Sequence, residues 1–250
     1  MEVQIFYIDS IELKIFILGC ICFFLTILFA ITSKYTFKNY YTVKVFSNLY
    51  SLFESLWPVL IIASLIMFFC IQAFKIPTGS MKNTIIEGDH IFVSKSHYGI
   101  RFPFFQIGKR YFRNSIKRGD IIVFQAPSKA MTMFDNKLKK DFIKRCVAIE
   151  GDLVEIKNKK LYINKNKIEE PYIIFNKEDV SIQNTKQNII LENKKNNFGP
   201  LIIPKNHYMM LGDNRDFSYD SRFWGPLHDK YIKGKALIIY WPIYRWRILK

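Results

Sequence analysis

The chain has 250 residues, half of them apolar and 16% aromatic, with 37 Lys and Arg against 21 Asp and Glu and a formal net charge of +16. That composition excludes a disordered chain and allows one or two domains. A mean hydropathy near zero beside 23% charged residues requires apolar and polar stretches to be segregated along the sequence.

The first elements are two membrane-length runs. Ile15 to Ser33 is 19 residues without a charge and Ser55 to Phe74 is 20, each enough to span roughly 28 to 30 Å as a helix. Glu2, Asp9 and Glu12 precede the first run where a secretory signal would carry positive charge, and the run is too long for one, so a retained span is predicted. A buried hairpin of a soluble protein would show a polar stripe, yet Ile61 to Phe69 offers only Ser64. Residues 1–74 are therefore read as an anchor with a connector at 34–54. The connector carries Lys34, Lys38 and Lys44, balanced by Lys14, Lys75 and Lys82 outside it, which sets no orientation.

The anchor holds four basic and four acidic side chains, so the whole positive excess lies in residues 75–250. Next to a bilayer such a domain is drawn to anionic headgroups, by about 1 kcal/mol for each nearby Lys or Arg. No helix-turn-helix pattern, zinc-finger spacing or aromatic RNA-binding signature accompanies the charge, and no nucleic acid partner is expected. Cys20, Cys22 and Cys70 fall in the apolar runs, leaving Cys146 alone in the basic part, without a partner for an internal disulfide. Scattered histidines and cysteines give no zinc site, and no cofactor is expected.

Beyond residue 75 the pattern is β. Gly88-Asp89, Gly119-Asp120 and Gly151-Asp152 each precede a short apolar run, a turn-then-strand signal. Leu153–Ile156 and Leu161–Ile163 read as a hairpin about Asn158 to Lys160, with another turn from Asn164, and Ala236–Trp241 as the last strand. Residues 97–118, 126–141 and 176–197 read as excursions or loops. The predicted fold is a mainly antiparallel β domain on two N-terminal transmembrane helices.

Three segments carry candidate chemistry. Ser80 follows Pro77, Thr78 and Gly79 soon after the second run, on a turn that permits close backbone approach. A serine becomes a nucleophile only with a base and with donors for an oxyanion. Lys144 lies in a strand-like stretch, where alternation puts it on one face with Phe142 and Cys146; facing inward, its ammonium would be disfavoured. On spacing alone, an edge-strand lysine reaching outward is the simpler reading. Gly212 to Arg222 alternates acids and arginines as an ion-paired loop would.

Together these segments, with Gly88 to Lys95, Ile143 to Asp152 and the two-helix anchor, resemble the type I signal peptidases, membrane serine proteases that use a Ser/Lys pair. The resemblance implies Ser80 as nucleophile, Lys144 as general base, and Ser218 orienting the lysine amine. It implies Thr78 and the Ser80 N–H as oxyanion hole, with Arg145, Asp213, Asp220 and Arg222 supporting the site. Preproteins with cleavable signal peptides ending in Ala-x-Ala are the implied substrates, with membrane phospholipid and the export machinery as further partners. The implied location is the bacterial cytoplasmic membrane, multi-pass, with the active site on the extracytoplasmic face and the connector in the cytoplasm. Two departures stand out: Asn83 where the family usually has Pro, loosening the turn after the nucleophile, and Phe217 where it has Asn. Repressor-type self-cleaving Ser/Lys proteins share the dyad but would carry a DNA-binding segment in place of the helices. A catalytically silent β domain that binds lipid or a partner is the alternative from another class.

Overall fold

The computed structural model describes residues 11–33, 40–99, 114–131, 140–175 and 195–249. Two compact units divide after Gln72. The first contains helices α1 (Ile11–Ser33) and α2 (Tyr40–Phe69), both long and apolar enough to cross a membrane. Phe23 meets Trp57 edge-on at 5.0 Å, while Phe29 meets Phe46 and Phe53 at 5.3 and 5.8 Å, so the helices run antiparallel. Gly19 permits this approach: a Cβ there would stand 3.0 Å from Ile61 Cγ1. Thr26 and Ser64 donate their hydroxyls to carbonyls of their own helices, which satisfies both without water.

The second helix differs from its expected limits at both ends. It begins at Tyr40, within the expected connector, and stops at Phe69, five residues before the apolar run does. Ile71-Gln72-Ala73-Phe74-Lys75 alternates in exposure and forms strand β1, because apolarity fixes how long a segment can stay out of water and not which backbone it adopts.

In the second unit, an eight-stranded sheet runs in the order β1 (Ile71–Lys75), β2 (His90–Ser94), β11 (Ile232–Trp241), β3 (Ile121–Gln125), β4 (Asp141–Ala148), β9 (His207–Leu211) and β10 (Leu227–His228), with β12 (Arg247–Ile248) added on β11. A smaller sheet takes the order β7 (Asn166–Lys167), β6 (Lys160–Ile163), β5 (Leu153–Lys157) and β8 (Phe198–Ile202). The registered pairings are antiparallel, as expected. Two short α-helices, α3 (Ser128–Met131) and α4 (Ser221–Trp224), and 3-10 turns at Gly79–Met81, Ser96–Tyr98, Asp229–Tyr231 and Ile243–Arg245 lie between the strands; α3 lies in the stretch read as loop. The 97–118 excursion lies largely outside the described residues, as does nearly all of 176–197.

The Gly-Asp signal has one mechanism at three places. Gly88, Gly119 and Gly151 take positive φ, and the following Asp accepts the backbone N–H three residues upstream: Asp89 from Ile86, Asp120 from Lys117, Asp152 from Ile149. Each turn then releases the chain into a strand. The β5–β6 hairpin closes through Asn158 and Lys159, both at positive φ as a two-residue twisted turn requires.

Strand β4 sits between β3 and β9 and is buried from Ile143 onward. One face, with Ile121, Val123 and Ile143, packs against Met81, Ile85 and Ile91; the other, with Ile122, Phe124 and Cys146, packs against Met210 and Trp224. Val147 and Ala148 continue into the core of the smaller sheet. A side chain on β4 is therefore removed from water whichever way it points.

Candidate active site

Lys144 lies opposite Ile122 on the same face as Cys146, only 4% exposed. The outward edge-strand reading fails because β4 is interior and both of its faces are covered. The amine donates to Ser80 Oγ at 2.6 Å and to the Ile143 carbonyl at 2.9 Å. Burial lowers its pKa to about 8, against the attraction of Asp220 and Asp213 and with help from Arg222. Burial likewise raises the neighbouring Cys146 thiol far above its usual range, leaving it an inert core group.

Ser80 is held from below and from the side. It occupies a 3-10 turn, Gly79–Met81, whose last side chain is fully buried in the core. Asn214 clamps the turn, its N–H donating to the Ser80 carbonyl and its Nδ2 to the Gly79 carbonyl, both at 3.1 Å. Thr78, exposed and extended, precedes the turn without capping it. Ser80 is second in the turn, so its N–H is among those that a helix start leaves without an intrahelical acceptor. Among the described residues neither the Thr78 hydroxyl nor the Ser80 N–H meets an acceptor, so both donors are available on the segment that carries the Ser80 hydroxyl.

The remaining site residues come together in two buried ion pairs. Arg145 grips Asp213 with Nε and Nη2 at 2.9 and 2.7 Å and sends Nη1 to the Gly119 carbonyl. Thr84, four residues beyond Ser80, donates to the same Asp213 carboxylate. Asp220 accepts two guanidinium bonds and the backbone N–H from Arg222, caps α4, and also accepts the Gly212 N–H. Burial pushes the Asp220 carboxyl up, but Arg222 and these bonds outweigh it and hold it below its usual range. Ser218 is buried, with Oγ turned toward the Asp220 carboxylate without closing a hydrogen bond of normal geometry. The expected Ser218 bond to the Lys144 amine is not formed.

Gly212 explains how closely these pieces meet. A Cβ there would collide with Ser218 Oγ and stand 2.6 Å from the Ser80 carbonyl, so only glycine lets the acidic loop touch the turn of Ser80. Among the described residues no group of three metal-ligating side chains gathers. A buried hydroxyl in contact with a buried, weakly basic amine is suited to acyl transfer.

A sequence model of the family described as signal peptidase, peptidase S26, matches residues 49–241, most of the chain. The chain belongs to that family. Signal peptidase I of Pseudomonas aeruginosa is 35% identical over 216 residues, 76% of this chain and 72% of its own. Signal peptidase I P of Bacillus subtilis subsp. natto is 32% identical, over 76% of this chain and 87% of its own. A crystal structure of a signal peptidase I from Enterococcus faecalis aligns with 49% of this chain and 97% of its own, at 27% identity and a TM-score of 0.34. As a member of the signal peptidase family the chain is a serine endopeptidase.

Three residues at this peptidase site had no assigned role in the sequence reading. Asn214 carries no sequence signal beyond its place in a charged run. Tyr172 lays its ring on the Arg145 guanidinium, 3.9 Å from centroid to Cζ, and Glu170 pairs with buried Arg215. Neither has a sequence signal near the site, because both arrive from the far end of the smaller sheet. Asn83 also behaves differently from expectation. Its φ of 89° is closed to proline, and its Nδ2 donates to the Tyr172 carbonyl at 3.0 Å, so the turn after Ser80 is tied down rather than loosened.

Proposed function

We propose that this chain is a membrane-anchored signal peptidase that cuts exported preproteins after their signal peptides, with Ser80 as nucleophile and Lys144 as general base. The observation that carries the reading is the buried 2.6 Å contact between the Lys144 amine and Ser80 Oγ. Ser80 Oγ attacks the scissile carbonyl while neutral Lys144 takes its proton. The Thr78 hydroxyl and the Ser80 N–H hold the resulting oxyanion, and the proton passes to the departing amine. The neutral Lys144 amine then takes a proton from water, whose oxygen attacks the acyl-enzyme carbonyl, and the proton returns to Ser80 Oγ as the ester bond breaks. Arg145, Asp213, Asp220 and Arg222 keep the loops in place.

The two helices, ending at Phe69, serve as the anchor, and the chain from β1 at Ile71 onward as the peptidase domain. Two antiparallel spans return the chain to the side it left, which supports the N-terminus and the peptidase domain sharing the extracytoplasmic face of a bacterial cytoplasmic membrane, with the connector inside. Contact with phospholipid is supported by Trp241, Ile243, Tyr244, Trp246 and Ile248, large apolar side chains exposed from the end of β11 through the 3-10 turn Ile243–Arg245 to β12. Aromatic residues beside Arg245 and Arg247 suit the headgroup region. A product of the export machinery would reach this face still tethered by its signal segment.

The test is cleavage of a preprotein with an Ala-x-Ala site by the enzyme in lipid vesicles, beside its Ser80→Ala and Lys144→Ala forms. Cleavage at that site by the parent alone is expected. Equal cleavage in all three would remove the pair from the mechanism, and three folded, equally inactive proteins would favour a silent scaffold.

A further inference from the structure

The segment after β7 is not described by its position in the smaller sheet alone, because residues 170 to 174 cross to the loop that bears Asp213. Ile174 donates its N–H to the Asp213 carbonyl at 3.0 Å and accepts the Arg215 N–H at 3.2 Å, a parallel bridge to the two sides of Asn214. Tyr172, half-buried, then makes three contacts to different parts of the site. Its carbonyl accepts from Asn83 Nδ2, three residues after Ser80. Its ring covers the Arg145 guanidinium, the group whose Nε and Nη2 donate to Asp213. Its hydroxyl donates to Glu170 Oε1 at 3.0 Å.

Glu170 closes the circuit. The same Oε1 accepts from Arg215 Nη2 at 2.5 Å, and Arg215 Nε donates to the Gly212 carbonyl at 3.1 Å. The path therefore runs from the nucleophile's turn through Tyr172, Glu170 and Arg215 to the glycine that abuts Ser80. Both charged side chains of this path are 2% exposed, so neither finds an alternative partner in water. A buried pair in this state is costly to break from one side, which makes the crossing rigid.

We propose that residues 170–174 form a positioning strap for the reacting pair, with Tyr172 holding Arg145 on Asp213 and the turn of Ser80 in register with Lys144. This rests on the reading of Ser80 and Lys144 as the reacting groups. Tyr172 touches neither of them and acts through Arg145 and Asn83. Its hydroxyl, raised above its usual range by burial and by Glu170, stays a donor throughout the working pH range.

A strap that only added stability would leave the chemistry of Lys144 alone. The charges that face that amine are Asp213 from the loop after β9 and Asp220 and Arg222 from the start of α4, with Arg145 beside it on β4. Removing the Tyr172 ring admits water to Arg145 and weakens its neutralisation of Asp213. More uncompensated negative charge on Asp213 favours the ammonium, so the acid limb of activity moves to higher pH.

The experiment compares kcat, KM and the pH profile on one preprotein in vesicles for the parent, Tyr172→Ala, Tyr172→Phe and Asn83→Gly, each checked for folding by thermal unfolding. Glycine tolerates the positive φ at position 83 and deletes only the amide. Tyr172→Ala is expected to lose about tenfold or more in kcat with KM within about twofold, and to shift the acid limb upward by about 0.5 unit. Tyr172→Phe, which keeps ring and carbonyl, should stay within about threefold of the parent. Asn83→Gly should lose kcat without moving the limb. A folded Tyr172→Ala enzyme with parental kcat and pH profile overturns the strap while leaving the peptidase reading intact, and so does a kcat loss in that variant with no change in the limb. A parent that cleaves nothing overturns the peptidase reading and the strap with it.

Discussion

Lys144 is a residue that folding holds in an unfavourable charge state. With a pKa of about 8 in place of the ordinary 10.5, roughly a tenth of molecules carry the neutral amine at pH 7. The kcat/KM of the free enzyme should therefore rise about tenfold per unit below that pKa and level off above it, which a pH profile from 5 to 10 will test. The same shift affects stability. Between about 8 and 10.5 the unfolded chain binds the proton that the folded one has released, so stability rises with pH across that window and the charged lysine is a burden below it. Lys144→Met should abolish cleavage and yet stabilise the fold at pH 7, by on the order of 2 to 3 kcal/mol, with the gain shrinking above pH 8. An unchanged or lower melting temperature at pH 7 would contradict this account. Gly212→Ala is the opposite experiment, since its methyl would collide with Ser218 Oγ and the Ser80 carbonyl. A displacement near 1 Å at the nucleophile costs about a hundredfold in rate, and a comparable loss of kcat in a folded protein is expected.

At the level of elements, the site is a junction between one interior strand and three loops. Strand β4 supplies Lys144 and Arg145 on opposite faces, and the loop from Gly212 to α4 receives both. Helix α4 is a single turn, and its start depends on Asp220, which caps it and neutralises buried Arg222. Asp220→Ala should thus destabilise by about 3 to 5 kcal/mol, mostly through the guanidinium left unpaired, and a denaturant titration will measure it. This dependence also shows what was legible in the sequence. The Gly-Asp turns, the β5–β6 hairpin and the membrane-length runs are local patterns and are visible in a window of ten or twenty residues. Whether Lys144 faced inward was not, because the burial of β4 depends on β3 and β9, which are distant in the chain. The Tyr172–Arg145 stack and the Asn214 clamp depend on tertiary approach alone, and the end of α2 was misplaced because helix and strand were equally apolar there.

On the scale of the whole molecule, the exposed aromatic and aliphatic side chains around Trp246 lie beside core residues that support the nucleophile, since Leu249 packs in the cluster that holds Met81 and Ile85. Replacing Tyr244 and Trp246 by Ser should slow cleavage of a membrane-bound preprotein several-fold and leave hydrolysis of a short soluble peptide in detergent unchanged. Equal losses on both substrates would argue for a structural role instead. The abrupt passage from α2 to β1 has its own consequence. One residue, Cys70, separates the helix from the strand, and Ser80 follows Phe69 by eleven positions. Even a fully extended chain of that length covers no more than about 40 Å, and part of it is committed to β1. The hydroxyl is on a short leash. With the anchor proposed above, substrate choice would then depend on how far a scissile bond lies from its own signal segment as well as on its flanking residues.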